Sequence, residues 1–279
     1  MSRRETVCTI AVIVVLLLAG CNSPLSGERR TAAETTDTVN IGDPETTTTP
    51  MTLEDVTLPE SVNRRGIGNA TALTENYARV IRNSSYTLRF DKSRVLEDGT
   101  QTHHTTEIVK RSLETDEKYR YTNQSSERDR RMTVSYLNGT DFYKKYVAGE
   151  TEYRTGTVPP NSVAEFQPRT AMVSFLESRL RTGQYENPSL VRRDGKLFVK
   201  YRLAGLDSDA KFVLSDSITN VSGSVLVSRD GLVRRISMNL TKGGRGPDVY
   251  MRTEFRLVEV SNVTVKKPEW TDEAVAKGD

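Results

Sequence analysis

Cysteine is nearly absent: 279 residues contain two, Cys8 inside an N-terminal apolar stretch and Cys21 just after it. The rest of the chain can therefore form neither a disulfide nor a thiolate metal site. Histidine is as scarce, with His103 and His104 alone. As neighbours on a strand they point to opposite faces and cannot share one metal ion or one catalytic triad. No nucleophile elbow, Walker loop, zinc-binding helix motif or calcium loop occurs. Gly243-Gly244-Arg245-Gly246-Pro247 opens no helix and reads as a turn rather than a phosphate cradle. Glu114, Asp116 and Glu117 read as a solvated charge run. Charge of one sign is lacking too, at 40 Lys and Arg against 37 Asp and Glu, and no basic strip with regular aromatic spacing exists. Nucleic acid is thereby excluded as a partner, and with no catalytic constellation, metal or cofactor motif the chain is not expected to be an enzyme.

Long apolar runs are missing as well, and this makes the N-terminus informative. Val7 to Leu18 is about twelve residues, below the roughly 17–25 of a spanning helix, and follows Arg3 and Arg4. A retained membrane helix is the competing reading. Leu16-Leu17-Leu18-Ala19-Gly20-Cys21 ends in two small residues and a cysteine, the pattern of a lipoprotein signal cleaved before a lipid-accepting Cys21. Residues 1–20 are then a signal peptide, and the protein is expected at the cell surface, anchored by lipid to the outer face of the cytoplasmic membrane. Ser2-Arg3-Arg4-Glu5 resembles the start of a twin-arginine signal, and Thr6 stands where that motif prefers a large apolar residue, so both export routes stay open. From Cys21 to residue 63 the chain is rich in Thr and Pro and has no apolar periodicity. It reads as a disordered tether, spanning roughly 35 Å on average for about forty flexible residues.

Residues 64–270 have the length of one domain. Leu73, Tyr77, Val80 and Ile81 form one apolar stripe at helical spacing, with Asn69 or Thr71 as cap and Asn83-Ser84-Ser85 as stop. The period then changes to two: Tyr86, Leu88 and Phe90 alternate with Thr87, Arg89 and Asp91. Asp98-Gly99, Asn138-Gly139, Asp194-Gly195 and Asp230-Gly231 punctuate later strand patterns and accept the positive φ of a type I′ turn. Their number predicts a meandering antiparallel sheet. A second helix is expected from Ala171, Met172, Phe175, Leu176 and Leu180, between Pro168 and Gly183. The longest strand sends Val249, Met251, Phe255 and Leu257 one way and Tyr250, Arg252, Glu254 and Arg256 the other. The expected class is α+β, a curved antiparallel sheet with helices covering one face, followed by a flexible tail over 271–279.

The order of lipobox, Thr-rich tether, helix, Ser85-Tyr86-Thr87-Leu88, central helix, Gly223-Ser224-Val225-Leu226-Val227 with Asp230-Gly231-Leu232-Val233, and closing Val265-Lys266-Lys267-Pro268-Glu269-Trp270 resembles uncharacterised surface lipoproteins of haloarchaea. Those proteins in turn resemble, more distantly, carriers of the LolA and LppX type. That resemblance implies a half-barrel sheet wrapped around an apolar cavity plugged by helices.

Asn69, Asn83, Asn123, Asn138, Asn220, Asn239 and Asn262 each begin an Asn-X-Ser/Thr acceptor. Thirteen asparagines would give roughly two or three such matches by chance, so seven suit a glycosylated exterior, with about half expected in use. Tyr119, Tyr121, Tyr136, Tyr143, Tyr146 and Tyr153 crowd the first half of the sheet, where their rings either line a groove or finish half-buried strands. Two functional classes survive. A monomeric binding module would hold an apolar ligand or lipid in a cavity walled by Met172, Phe175, Leu176 and Leu180; a structural, sensory or protein-interaction module would fill that space with side chains.

Overall fold

The computed structural model describes residues 51–159, 172–207, 218–244 and 246–277. Cys21 and the residues before 51 lie outside this range. The strands are β1 Tyr86–Leu96, β2 Gln101–Arg111, β3 Glu117–Ser126, β4 Arg130–Asn138, β5 Asp141–Ala148, β6 Glu150–Thr157, β7 Gly183–Arg193, β8 Lys196–Leu206, β9 Ile218–Ser228, β10 Val233–Lys242 and β11 Val249–Val260. They pair antiparallel into one unclosed sheet in the order β6-β5-β4-β3-β2-β1-β11-β10-β9-β8-β7. Two meanders, β1–β6 and β7–β11, are thus sewn together along their first and last strands, with Phe90 opposite Phe255 at the seam. The predicted antiparallel sheet of an α+β chain is the observed architecture, and β11 is its longest strand.

Helix α1, Ala70–Arg82, begins where predicted. Asn69, not Thr71, is its cap, and its Oδ1 accepts from Ala72 N at 2.9 Å. Leu73, Tyr77 and Ile81 recur every four residues and are fully buried. Tyr77 meets Phe255 edge-on at 5.7 Å between ring centroids, which seats α1 on the face that also carries Leu88, Phe90 and Leu257. Helix α2, Val173–Thr182, packs against α1 and β7, and Leu176 and Leu180 join the same core. It passes directly into β7 at Gly183, where a Cβ would lie 2.5 Å from the Tyr185 ring. These two helices cover one face, here the inner face.

All four predicted turns lie between paired strands. Only Asp194-Gly195 has positive φ at both residues, 48° and 72°, as a type I′ turn requires. At the other three the glycine alone is left-handed; around Gly99 and Gly231 the connections have four residues, which relieves the second position.

Two boundaries differ from expectation. Residues 51–63 belong to the domain rather than to a tether: Val56 and Val62 are buried, Val62 bridges Ile67, and Tyr201 donates its hydroxyl to Asn63 O at 3.2 Å. Four valine or leucine side chains among polar neighbours, Leu53, Val56, Leu58 and Val62, are too few to show a period, although enough to dock. The stretch expected as a flexible tail instead carries α3, Trp270–Lys277, packed on β5 and β6 with Thr271 and Ala274 fully buried.

Helix α3 lies on the outer face. Trp270 stacks on Tyr153 at 6.4 Å, and Tyr153 donates to Glu273 at 2.7 Å. Through direct cross-strand partners, Tyr153 shares a face with Lys145, Val134, Tyr121, Ile108, Arg89 and Arg256. The chain reaches this side after Ser261, whose φ is 90° and whose N–H donates to Ser85 O at 2.8 Å.

Candidate ligand-binding face

Side-chain alternation makes each face of the sheet readable as rows of directly opposed residues. One inner row runs Phe255, Phe90, Glu107, Thr122, Thr133, Tyr146, Glu152 from β11 to β6. The next runs Leu88, Val109, Arg120, Ser135, Lys144, Arg154. The first row changes from apolar to polar at β2 and the second at β3. The buried Glu107 marks the change and forms an ion pair with Arg120 at 3.0 Å, at an angle that leaves the Arg120 Nε–H without an aligned acceptor.

Beyond β2 lies a cleft of ≈ 250 Å³ whose described lining is Arg120, Thr122, Gln124, Thr133, Ser135, Phe142 and Lys144. A second of ≈ 180 Å³, lined by Lys144, Tyr146, Glu152 and Arg154, adjoins it through Lys144. Cations, hydroxyls and an amide bordered by aromatic rings, with the one carboxylate Glu152 at the far end of the described lining, can hold a polar or anionic group. On the apolar side of the boundary, the half-buried Phe90 and Phe175 meet edge-on at 5.2 Å, and the Arg179 guanidinium lies 5.4 Å from the Phe175 ring centre. Burial pulls the Arg179 pKa below its ordinary value.

The predicted cavity residues occupy two settings. Leu176 and Leu180, 0% and 3% exposed, are packed into the core, whereas Met172 and Phe175 lie half-buried at its margin. Met172 begins α2 with φ 60° and offers no side-chain cap. Of the predicted acceptors, Asn69, Asn83, Asn138, Asn220, Asn239 and Asn262 are exposed and Asn123 is half-buried. The amide nitrogen of Asn83, which would carry a glycan, donates to Arg79 O at 3.0 Å. His103 and His104 point to opposite faces, bonding Thr105 and Thr106 respectively. Among the described residues no group of three or more His, Cys, Asp or Glu stands together to hold a metal ion. Among them, too, no helix is long and apolar enough to cross a membrane.

Five of the six crowded tyrosines, all but Tyr146, lie on the outer face, so their rings finish half-buried strands on the side that α3 partly covers. Tyr136 is buried there, tilted against Tyr143 at 6.0 Å, and donates its hydroxyl to Glu117. Burial and that carboxylate raise its pKa well above the usual phenol value. Glu254 has a setting that the sequence does not show. Expected to face solvent beside Arg252 and Arg256, it does lie on the outer face but is buried beneath arginines. Strand alternation finds the face; it carries no signal for long neighbouring side chains folding over a short one.

Residues 6–274 match the model of a family of unknown function, DUF7537, and the chain belongs to that family. No curated protein matches it. Among solved structures, the crystal structure of LprF from Mycobacterium bovis is similar over 73% of this chain and 99% of its own, at 11% identity and a TM-score of 0.34. That of MucB in complex with MucA(peri) is similar over 74% of this chain and 59% of its own, at 13% identity and a TM-score of 0.26.

Proposed function

We propose that this DUF7537 member is a ligand-binding module held at the cell surface by lipid on Cys21, and that its ligand is an amphiphile lying on the inner face of the sheet across β2. The observation that carries the reading is the change of character along that face, from the Phe90–Phe175 pair to the Arg120–Lys144 cleft. An apolar segment gains burial against the rings, while a polar or anionic head group meets Arg120, Lys144 and the hydroxyls of Thr122, Thr133 and Ser135. The clefts together fall within the roughly 300–1,000 Å³ of small-ligand sites. The exposed acceptor asparagines suit a glycosylated exterior. A second reading, an interaction module without a small ligand, draws on the close packing of Leu176 and Leu180 beneath the helices.

The test is titration of delipidated protein with a single-chain fluorescent amphiphile bearing an anionic head, and with its neutral-headed counterpart. Saturable binding is expected, tighter for the anionic probe. Lys144→Ala weakens the anionic probe about tenfold, or about 1.4 kcal/mol, and Phe175→Ala weakens both. Failure of either probe to saturate folded protein leaves the interaction module as the account.

A further inference from the structure

The outer face at the seam holds three arginines in direct opposition on adjacent strands: Arg89 on β1, Arg256 on β11 and Arg235 on β10. Arg252 stands two positions from Glu254 along β11. Like charges directly across a sheet destabilise it, and neighbouring strands are only about 4.8 Å apart. Glu254 and Asp91, opposite each other in the adjoining row, offset part of the repulsion. Glu254, 2% exposed, takes Arg235 at 2.8 Å, Arg252 at 3.0 Å and Arg256; Asp91 takes Arg89 at 2.7 Å and Thr106 at 2.9 Å. Four guanidiniums against two carboxylates leave two positive charges over.

The carboxylates are spent and the guanidiniums are not. Each guanidinium has five N–H donors, more than these carboxylate contacts occupy. The side chains of Arg89, Arg252 and Arg256 stay about half exposed, at 46%, 61% and 47%, so their outward edges face solvent. The buried Glu254 acts as a template: it gathers the heads of three strand-borne arginines into one place and fixes their planes from beneath. Planar forks held in this way match the paired oxygens of a phosphate-type oxyanion.

We infer that this outer-face cluster is a binding site for a phosphate-type dianion, free or carried on a lipid head group. It is separate from the amphiphile face, being on the other side of the sheet, and does not rest on that reading.

The test uses the mature chain without its lipid, from a host that adds no glycan, because the predicted acceptor Asn239 stands directly opposite Arg252. Inorganic phosphate is titrated by calorimetry, and flotation is measured with vesicles carrying phosphatidic acid or only phosphatidylcholine. Binding of free phosphate, or of phosphatidic acid vesicles alone, is expected, the first marking a small-anion site and the second a membrane-facing one. Arg252→Gln leaves Arg235 and Arg256 on Glu254; it should weaken either binding about tenfold without moving the melting midpoint by more than a degree or two. Arg256→Lys retains the charge, loses the fork, and should weaken binding as well. Folded wild-type protein that binds neither phosphate nor phosphatidic acid, or an Arg252→Gln variant that binds as wild type does, overturns the site and leaves the network purely structural.

Discussion

The two meanders of one continuous sheet bury mainly opposite faces, although β4 also buries Leu137 on the inner side. In β7–β11, joined by β1, the inner face is the core: Tyr185, Tyr201, Val225, Ile236 and Phe255 lie beneath α1 and α2, while the outer face carries Arg235, Arg252 and Arg256. In β3–β6 the outer face carries Tyr121, Val134, Tyr136, Tyr143 and Tyr153, with α3 against it, and the inner face carries Thr122, Thr133, Lys144 and Arg154. The exchange takes place at β2, where Val109 is buried inward and Ile108 is half-buried outward. A sheet needs cover only where it is apolar, so helices placed on opposite sides at its two ends leave a polar inner surface beside a packed one. That adjacency is the basis of the proposed amphiphile site.

The sharpest way to break the comparison is to open the inner core. Leu176→Ala removes a fully buried side chain and should cost about 2–5 kcal/mol in denaturant unfolding; a cost below about 1 kcal/mol would mean the space beneath α2 is already loosely filled. Next comes the outer cover. Ending the chain before Trp270 removes the Tyr153–Trp270 stack and buried Ala274, and should cost about 2 kcal/mol. Amide exchange should then quicken in β5 and β6 and stay unchanged in β10; uniform exchange changes would deny that the two covers act separately. The smallest effect concerns the seam. Burial pushes the Glu254 pKa up, but hydrogen bonds from Arg256 and Arg252 and the charge of Arg235 outweigh it, so the net shift is downward. A carboxylate with a lowered folded pKa stabilises the fold above its unfolded pKa and loses that contribution as pH falls. Glu254→Gln should therefore cost about 1.5 kcal/mol at pH 7, and the gap to wild type should close as pH drops below about 4.3. A gap independent of pH would place its origin in packing.

Alternation and turn chemistry made most of the sheet legible. Tyr86-Leu88-Phe90 and the four Asn-Gly or Asp-Gly pairs located strands whose neighbours are antiparallel, and Leu73, Tyr77 and Ile81 located α1 and its buried stripe. What alternation does not state is which physical side of the sheet an apolar parity occupies. The rings of Tyr119, Tyr121 and Tyr136 have the same period as Leu88 and Phe90, and only the register through β2 puts them on the other side. Helix α3 was missed because its eight residues hold one tryptophan and few other apolar side chains, and its burial depends on a tyrosine 117 positions earlier in the chain. The Arg120–Lys144 cleft was illegible for a related reason: its residues come from three strands and look like ordinary solvent-facing positions until the register aligns them.

The central claim is that a ligand meets the inner face across β2 and not the space beneath the helices. Hydrogen exchange of the delipidated protein, with and without a saturating anionic amphiphile, tests it directly. The account predicts added protection in β3, β4 and β5 around Thr122, Thr133 and Lys144, with α1 and the Leu176–Leu180 turn of α2 unchanged. Protection confined to α1, α2 and β8 around Tyr201 would contradict it.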